Sequence, residues 1–316
     1  CILNQVVRTR KTTSPMLNVI AANRMFSITT GNCLDELQAY DDNSFHSCIT
    51  DPPYGMGMEH WDHSVPSVEY WQEIYRVLRP GAFCLAFCSP ALYHRLAVAV
   101  EDAGFLIQDQ IMWMTTTKMP KYNRLKPAHE PIVVAQKPYE GTLQSNFDKW
   151  GCGIIDVDTT RVPWEGKPPT GWVAQGAKRR TFGKDGKTTG TQSEFGTVDA
   201  NPNGRYPSNI IGEVNEAHQK YFYAPRATRK EKGEDNNHPT VKPVSLMEYL
   251  IKVYCPVGGL VLDPFCGSGT TGVAALNVER DFIGIELSEH YCAIANQRCA
   301  DAKLDDQVVP AALPGV

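Results

Sequence analysis

The chain has 316 residues, of which 42% are hydrophobic and 21% charged, with a formal charge of −4. That length holds a well-buried α/β core and a second, smaller unit; no apolar run is long enough to span a bilayer, and no signal-peptide pattern opens the sequence. A net negative chain argues on its face against a polyanionic partner, but the charge is segregated: residues 117–233 hold 19 Lys and Arg against 12 Asp and Glu, an excess of seven that leaves the remainder at −11. A positive segment of that kind is the footprint of phosphate neutralisation, although any single lysine in it also reads as a solvated loop residue.

Taken in chain order, Phe26–Thr30 and Ser47–Thr50 read as strands around a helical Leu34–Tyr40. Val68–Leu78 has helical spacing and stops at Arg79-Pro80-Gly81; its Trp71 and Tyr75 read as helix-to-sheet packing. Ala82–Phe87 is the next strand, Ala91–Ala103 a helix ended by Gly104, Phe105–Met114 a strand, and Ile132–Ala135 another. Between Trp164 and Pro207 apolar periodicity gives way to Gly, Pro, Thr, Ser and Lys, so this stretch is expected to be irregular. Trp164, Trp172, Phe182 and Phe195 within it read mainly as local packing. Met247–Tyr254 resumes a helix, and Phe282–Glu286 reads as the final strand. Strand and helix alternate, which predicts a doubly wound, mostly parallel sheet.

Ten cysteines include no paired zinc-ligand spacing, so no metal is expected. Cys48, Cys84, Cys88 and Cys266 fall in apolar stretches and read as small core residues, which points to a reducing cytoplasm. The chain opens on Cys1, and Met25, just before the first strand, is an alternative start.

Two motifs carry chemistry. Asp51-Pro52-Pro53-Tyr54 follows directly on the strand ending at Thr50. Prolines have no N–H, so this turn offers carbonyl and carboxylate acceptors beside an aromatic ring. Such a set suits a planar ring bearing an exocyclic amine; taken alone, it also fits a Pro-Pro turn capped by Asp. The second motif is Leu260-Val-Leu-Asp263 running into Gly267, Gly269 and Gly272, a helix over Thr271–Val278, and a strand ending in Glu286. Glycines let backbone approach a ligand, and an acid at that strand end can hold ribose hydroxyls. An adenosine-containing ligand is implied, and the pattern also fits a nicotinamide dinucleotide, hence an oxidoreductase.

In order, Asp51-Pro-Pro-Tyr54, His238-Pro-Thr-Val-Lys-Pro243 and Asp263-Pro-Phe-Cys-Gly-Ser-Gly-Thr-Thr271 resemble the amino-methylating DNA methyltransferases. Having the catalytic motif before the cofactor motif resembles the permuted β group. The stretches 129–137 and 221–232 resemble its phage and prophage branch. The resemblance implies a Rossmann-like class I methyltransferase that uses S-adenosyl-L-methionine and double-stranded DNA; the sequence leaves the oligomeric state open, a homodimer among the options. It implies catalysis at Asp51, Pro52, Pro53 and Tyr54, on a base flipped from the duplex, since a stacked base cannot reach such a cleft. Adenine N6 is the expected target because relatives with Ser in place of Asp51 tend toward cytosine; cytosine N4 is the alternative. Cofactor binding is expected at Asn32, where relatives commonly carry Asp, and at Thr240, Lys242, Asp263, Phe265, Cys266, Gly267, Ser268, Gly269, Thr270 and Glu286. The resemblance places His238, Thr240 and Lys242 beside the methionine end of the cofactor, with Lys242 pairing its carboxylate, while His238 reads equally as a locally satisfied residue at a Pro-rich helix entry. Asp263 either accepts from the methionine ammonium or fixes the glycine turn. DNA contacts are expected at Lys118, Lys121, Arg124, Lys178, Arg179, Arg180, Arg229 and Lys230. The implied division is a catalytic half over 25–137, a target-recognition insertion over 138–235 and a cofactor half over 236–302, with tails at 1–24 and 303–316.

Overall fold

The computed structural model describes residues 24–55, 64–115, 127–164, 170–175, 181–182, 188–189, 194–199, 201–212 and 241–305. Their strands are β1 (Phe26–Thr30), β2 (Phe45–Thr50), β3 (Leu78–Phe87), β4 (Leu106–Met114), β5 (His129–Gln136), β6 (Thr170–Gln175), β7 (Thr181–Phe182), β8 (Thr188–Thr189), β9 (Glu194–Asp199), β10 (Ile210–Gly212), β11 (Leu260–Asp263) and β12 (Asp281–Glu286). The helices are α1 (Cys33–Leu37), α2 (Val68–Val77), α3 (Tyr93–Asp102), α4 (Leu143–Trp150), α5 (Val244–Tyr254), α6 (Thr270–Asn277) and α7 (Glu289–Asp305).

Eight strands form one sheet in the order β1-β12-β11-β2-β3-β5-β4-β10. All pairs are parallel except those of β5, which runs antiparallel to both β3 and β4. The expectation of a mostly parallel, doubly wound sheet is met, with β5 as the exception. Interior strands of such a sheet are covered on both faces and read as unbroken apolar runs, and β2 and β3 are buried along their whole length. Side chains alternate between faces. Phe83, Leu85 and Phe87 of β3 join Ile49, Ile132 and Val134 under α5 and α6. Cys84, Ala86 and Cys88 join Cys48, Val133 and Ala135 under α1, α2 and α3. Trp71 is fully buried in that second layer, and Tyr75 packs edge-on against Phe105 at 5.1 Å, as expected for packing residues. All nine cysteines among the described residues are free and buried.

Several boundaries differ from expectation. β3 begins at Leu78, through the Arg79-Pro80-Gly81 stretch expected to be a turn, because Leu78 pairs with Phe45 across a register irregularity. A bulge of that kind accommodates a proline and Gly81 at φ 80° without ending the strand. α4 was not foreseen, although Thr142 and Ser145 form a reciprocal capping box and Gly151 ends the helix at φ 68°. α7 was also missed. The stretch expected to be irregular holds two small antiparallel pairs, β6 with β9 and β7 with β8. Ladders between polar strands leave no apolar periodicity to read. From the segment 138–235, α4 packs on β3 and β10 extends the main sheet beside β4. No helix among the described residues is long and apolar enough to cross a membrane.

Candidate active site

Parallel strands bring their carboxyl ends to one edge, and doubly wound sheets bind ligands in the crevice there. Gly31-Asn32 follows β1, Asp51–Tyr54 follows β2, Pro264–Gly267 follows β11, and Glu286 ends β12. Because β5 is antiparallel, its first residues rather than its last reach this edge, which places Glu130 opposite Trp113 near the carboxyl end of β4. One cavity of about 640 Å³ opens along the edge and is lined from both motifs, by Asp51–Tyr54 at one side and by Asp263–Ser268 with Glu286 at the other.

At the first side, Lys242 Nζ forms an ion pair with Asp51 Oδ2 and lies 3.6 Å from Glu130 Oε2. Tyr54 OH donates to Asp51 Oδ1 at 2.7 Å and is 3.2 Å from Glu130 Oε2, so one phenolic proton lies between two carboxylates. The Lys242 ammonium sits 5.4 Å from the Tyr54 ring centre and 5.1 Å from that of Phe87, within cation–π range. Burial acts to lower the Lys242 pKa, but the Asp51 and Glu130 carboxylates outweigh it and raise the value above ordinary. Burial, then those same two carboxylates, pushes the Tyr54 phenol well above its usual range.

At the second side, Asp263 is buried and accepts from Thr50 Oγ1 at 2.7 Å, Thr271 Oγ1 at 2.6 Å and the Phe265 amide at 3.1 Å. Burial lifts its pKa to about 6, against the pull of those hydrogen bonds. Glu286 accepts from the Gly267 amide at 2.7 Å and the Ser288 amide at 2.9 Å, and burial raises its pKa. Gly267 at φ 53° and Gly269 at φ 82° occupy the left-handed region that a tight strand-to-helix turn needs. A Cβ on Gly269 would stand 2.8 Å from that of Ala295, so this glycine lets α7 close on the turn. Arg298, on α7, donates to Ser268 Oγ at 3.1 Å and Thr270 Oγ1 at 3.2 Å.

Of the expected site residues, Asn32, Asp51, Pro52, Pro53, Tyr54, Lys242, Asp263, Phe265, Cys266, Gly267, Ser268, Thr270 and Glu286 all line the cavity, while Gly269 packs against α7. Asn32 also caps α1, its Oδ1 accepting from the Leu34 amide at 3.0 Å. Two of these residues have partners within the chain. Lys242, expected to pair a cofactor carboxylate, lines the cavity and is paired here with Asp51 and Glu130. Asp263, for which two roles stood open, has donors on both oxygens and fixes the glycine turn. Thr240, His238, Lys118, Lys121, Arg124, Lys178, Arg179, Arg180, Arg229 and Lys230 lie outside the described residues, as do the side chains of Trp172, Phe182 and Phe195. Trp164 is a local packing residue, donating to the Asn201 carbonyl at 2.8 Å under the Arg205 guanidinium.

Sequence reasoning missed Glu130, Arg298 and the walls supplied by Ser64–Ser67, Tyr70, Leu287, Ser288, His290 and Tyr291. Tyr70 packs its ring 6.0 Å from that of Phe265.

A family model described as DNA methylase matches residues 45–297. The chain is 26% identical over 341 aligned residues to the type II methyltransferase M.HindIII of Haemophilus influenzae, covering 86% of this chain and 94% of that one. It is 27% identical over 278 residues to the type II methyltransferase M.HpaI of Haemophilus parainfluenzae, covering 84% and 72%. Among solved structures, the M1.HpyAVI–SAM complex superposes with a TM-score of 0.51 at 22% identity, over 87% of this chain and all of that one. The PvuII DNA methyltransferase, described as cytosine-N4-specific, superposes with a TM-score of 0.57 at 15% identity, over 90% and 93%. Both structures share the α/β fold described above.

Proposed function

The chain belongs to the DNA methylase family, and we propose that it transfers a methyl group from S-adenosyl-L-methionine to the exocyclic amine of a base flipped out of double-stranded DNA, with adenine N6 as the target. The observation that carries this reading is the single cavity shared by an acceptor-rich corner at Asp51–Tyr54 and a glycine turn closed by Glu286. The order of the motifs supports placement in the permuted β group, and the sequences at 129–137 and 221–232 support a phage or prophage branch. The type II relatives support a role in restriction–modification.

The donor set fits the cofactor. Glu286 accepts from the Gly267, Ser288 and Leu287 amides, and a carboxylate has about four acceptor sites, which leaves capacity for a ribose hydroxyl. Asn32, Phe265 and Leu287 add a polar edge and apolar walls for an adenine. S-adenosylmethionine, when bound, supplies an electrophilic methyl group. The chain supplies position: an aromatic amine is a poor nucleophile because its lone pair is delocalised, and acceptors at Asp51 and the Pro52 carbonyl draw both N–H bonds aside and localise that pair. Alignment of this kind is worth roughly 7–11 kcal/mol in favourable cases. Asp51 also stabilises the cation that develops on nitrogen. The basic residues of 117–233 offset the cost of extruding the base, and target recognition belongs to the segment 138–235.

The deciding experiment incubates the protein with methyl-labelled cofactor and DNA, digests the DNA and identifies the labelled nucleoside. Label in N6-methyldeoxyadenosine is the expected result. Label in N4-methyldeoxycytidine would correct the base, and unlabelled DNA across diverse templates would overturn the reading.

A further inference from the structure

We propose that Glu130 is a positioning residue for methyl transfer: it takes over the Lys242 ammonium when the target amine occupies Asp51. This rests on the methyl-transfer reading and adds to it a residue and an exchange of partners. As the corner stands, both oxygens of Asp51 already hold a donor. Its Oδ1 accepts from Tyr54 and its Oδ2 from Lys242. An oxygen that already holds a charged donor is a weaker clamp for a neutral amine, and releasing that donor strengthens it only if the ammonium keeps an anionic partner. The Lys242 and Glu130 side chains are only 6% and 8% exposed, so water cannot take the charge.

Glu130 supplies the destination. Its Oε2 is 3.6 Å from Lys242 Nζ, and a shift of about 1 Å brings the pair to charge-assisted hydrogen-bond distance. The same oxygen lies 3.2 Å from Tyr54 OH, so both donors that hold Asp51 have a second carboxylate in reach. The charge count points the same way. Two carboxylates and one ammonium leave one net negative charge beside a nitrogen that becomes cationic, and a neutral residue at 130 would cancel it. Only the antiparallel course of β5 makes this available, since a parallel strand would carry Glu130 to the far edge of the sheet.

The test is single-turnover methylation of a plasmid that the wild type labels, with the binding of S-adenosylhomocysteine measured in parallel. Glu130→Gln traps Lys242 on Asp51, so the transfer rate is expected to fall by about 10²-fold while the dissociation constant stays within about twofold. Adding Lys242→Met to that variant removes the trapped donor, and about tenfold of the rate is expected to return. A merely structural role for Glu130 predicts the opposite, a double variant slower than the single one. A wild-type rate in Glu130→Gln, or a double variant no faster than it, overturns the proposal. Should Glu130→Gln fail to bind S-adenosylhomocysteine, Glu130→Asp decides: a rate at least about tenfold above that of Glu130→Gln sustains the charge role, and equal rates overturn it. A plasmid left unlabelled by the wild type would instead tell against methyl transfer itself.

Discussion

Lys242 and Asp51, 191 positions apart in the chain, meet as a buried ion pair at the carboxyl edge of the sheet. The carboxylate is therefore held in place before any substrate arrives, by a donor that can be exchanged.

Asp51→Ala removes the acceptor while leaving the glycine turn and Glu286 untouched. The single-turnover rate is expected to drop by at least about 10²-fold, with S-adenosylhomocysteine binding unchanged by calorimetry. Full turnover in this variant would remove Asp51 from the chemistry.

Glu286→Ala deletes the acceptor of the Gly267 and Ser288 amides together with the proposed ribose partner. Hydrogen bonds to a charged group contribute about 1.5–3 kcal/mol each, so cofactor affinity should weaken by roughly ten- to a hundredfold or more. An unchanged dissociation constant would refute the ribose assignment.

Asp263 gives stability a definite pH dependence. Burial raises its folded pKa to about 6 from 3.8, so between those values the folded chain keeps a proton that the unfolded chain has lost. Its contribution to stability is therefore full below about pH 4 and is lost as pH rises through about 6, by roughly 3 kcal/mol in all. Asp263→Asn does not titrate, so urea unfolding should show the variant gaining on the wild type across that window. A difference that stays constant from pH 4 to 7 would contradict the raised value.

DNA binding should weaken steeply with salt if the basic excess of residues 117–233 meets phosphates. The logarithm of affinity falls with slope of about −0.9 per neutralised phosphate. A flat response in a fluorescence-anisotropy titration would take that segment out of the interface.

Most of the sheet was legible because interior parallel strands are unbroken apolar runs, and the Cys48–Thr50 and Leu260–Asp263 stretches have no other reading. The glycine turn and Glu286 were legible for the same reason, since a strand, a tight turn and an acid recur at fixed spacing. Strand direction left no such trace. Ile132–Ala135 is equally apolar read either way, so Glu130 gave no hint that it reaches the Asp51 corner. The pairing of Lys242 with Asp51 was not legible either, because nothing local distinguishes a ligand carboxylate from one 191 positions away. α7 was hidden by apolar residues scattered around its circumference rather than set along one stripe.

Among the described residues β1 has a single strand neighbour, and that neighbour is β12, from Phe26 beside Phe282 to Thr30 beside Glu286. Of the strands described, the earliest in the chain therefore docks only on the latest. A nascent chain halted short of β12 would carry Asp51 with no companion strand behind Gly31 and no Glu286. Completion of this edge, with Gly31 bonded to Glu286 and the Gly267 amide held by the same acid, therefore depends on β12.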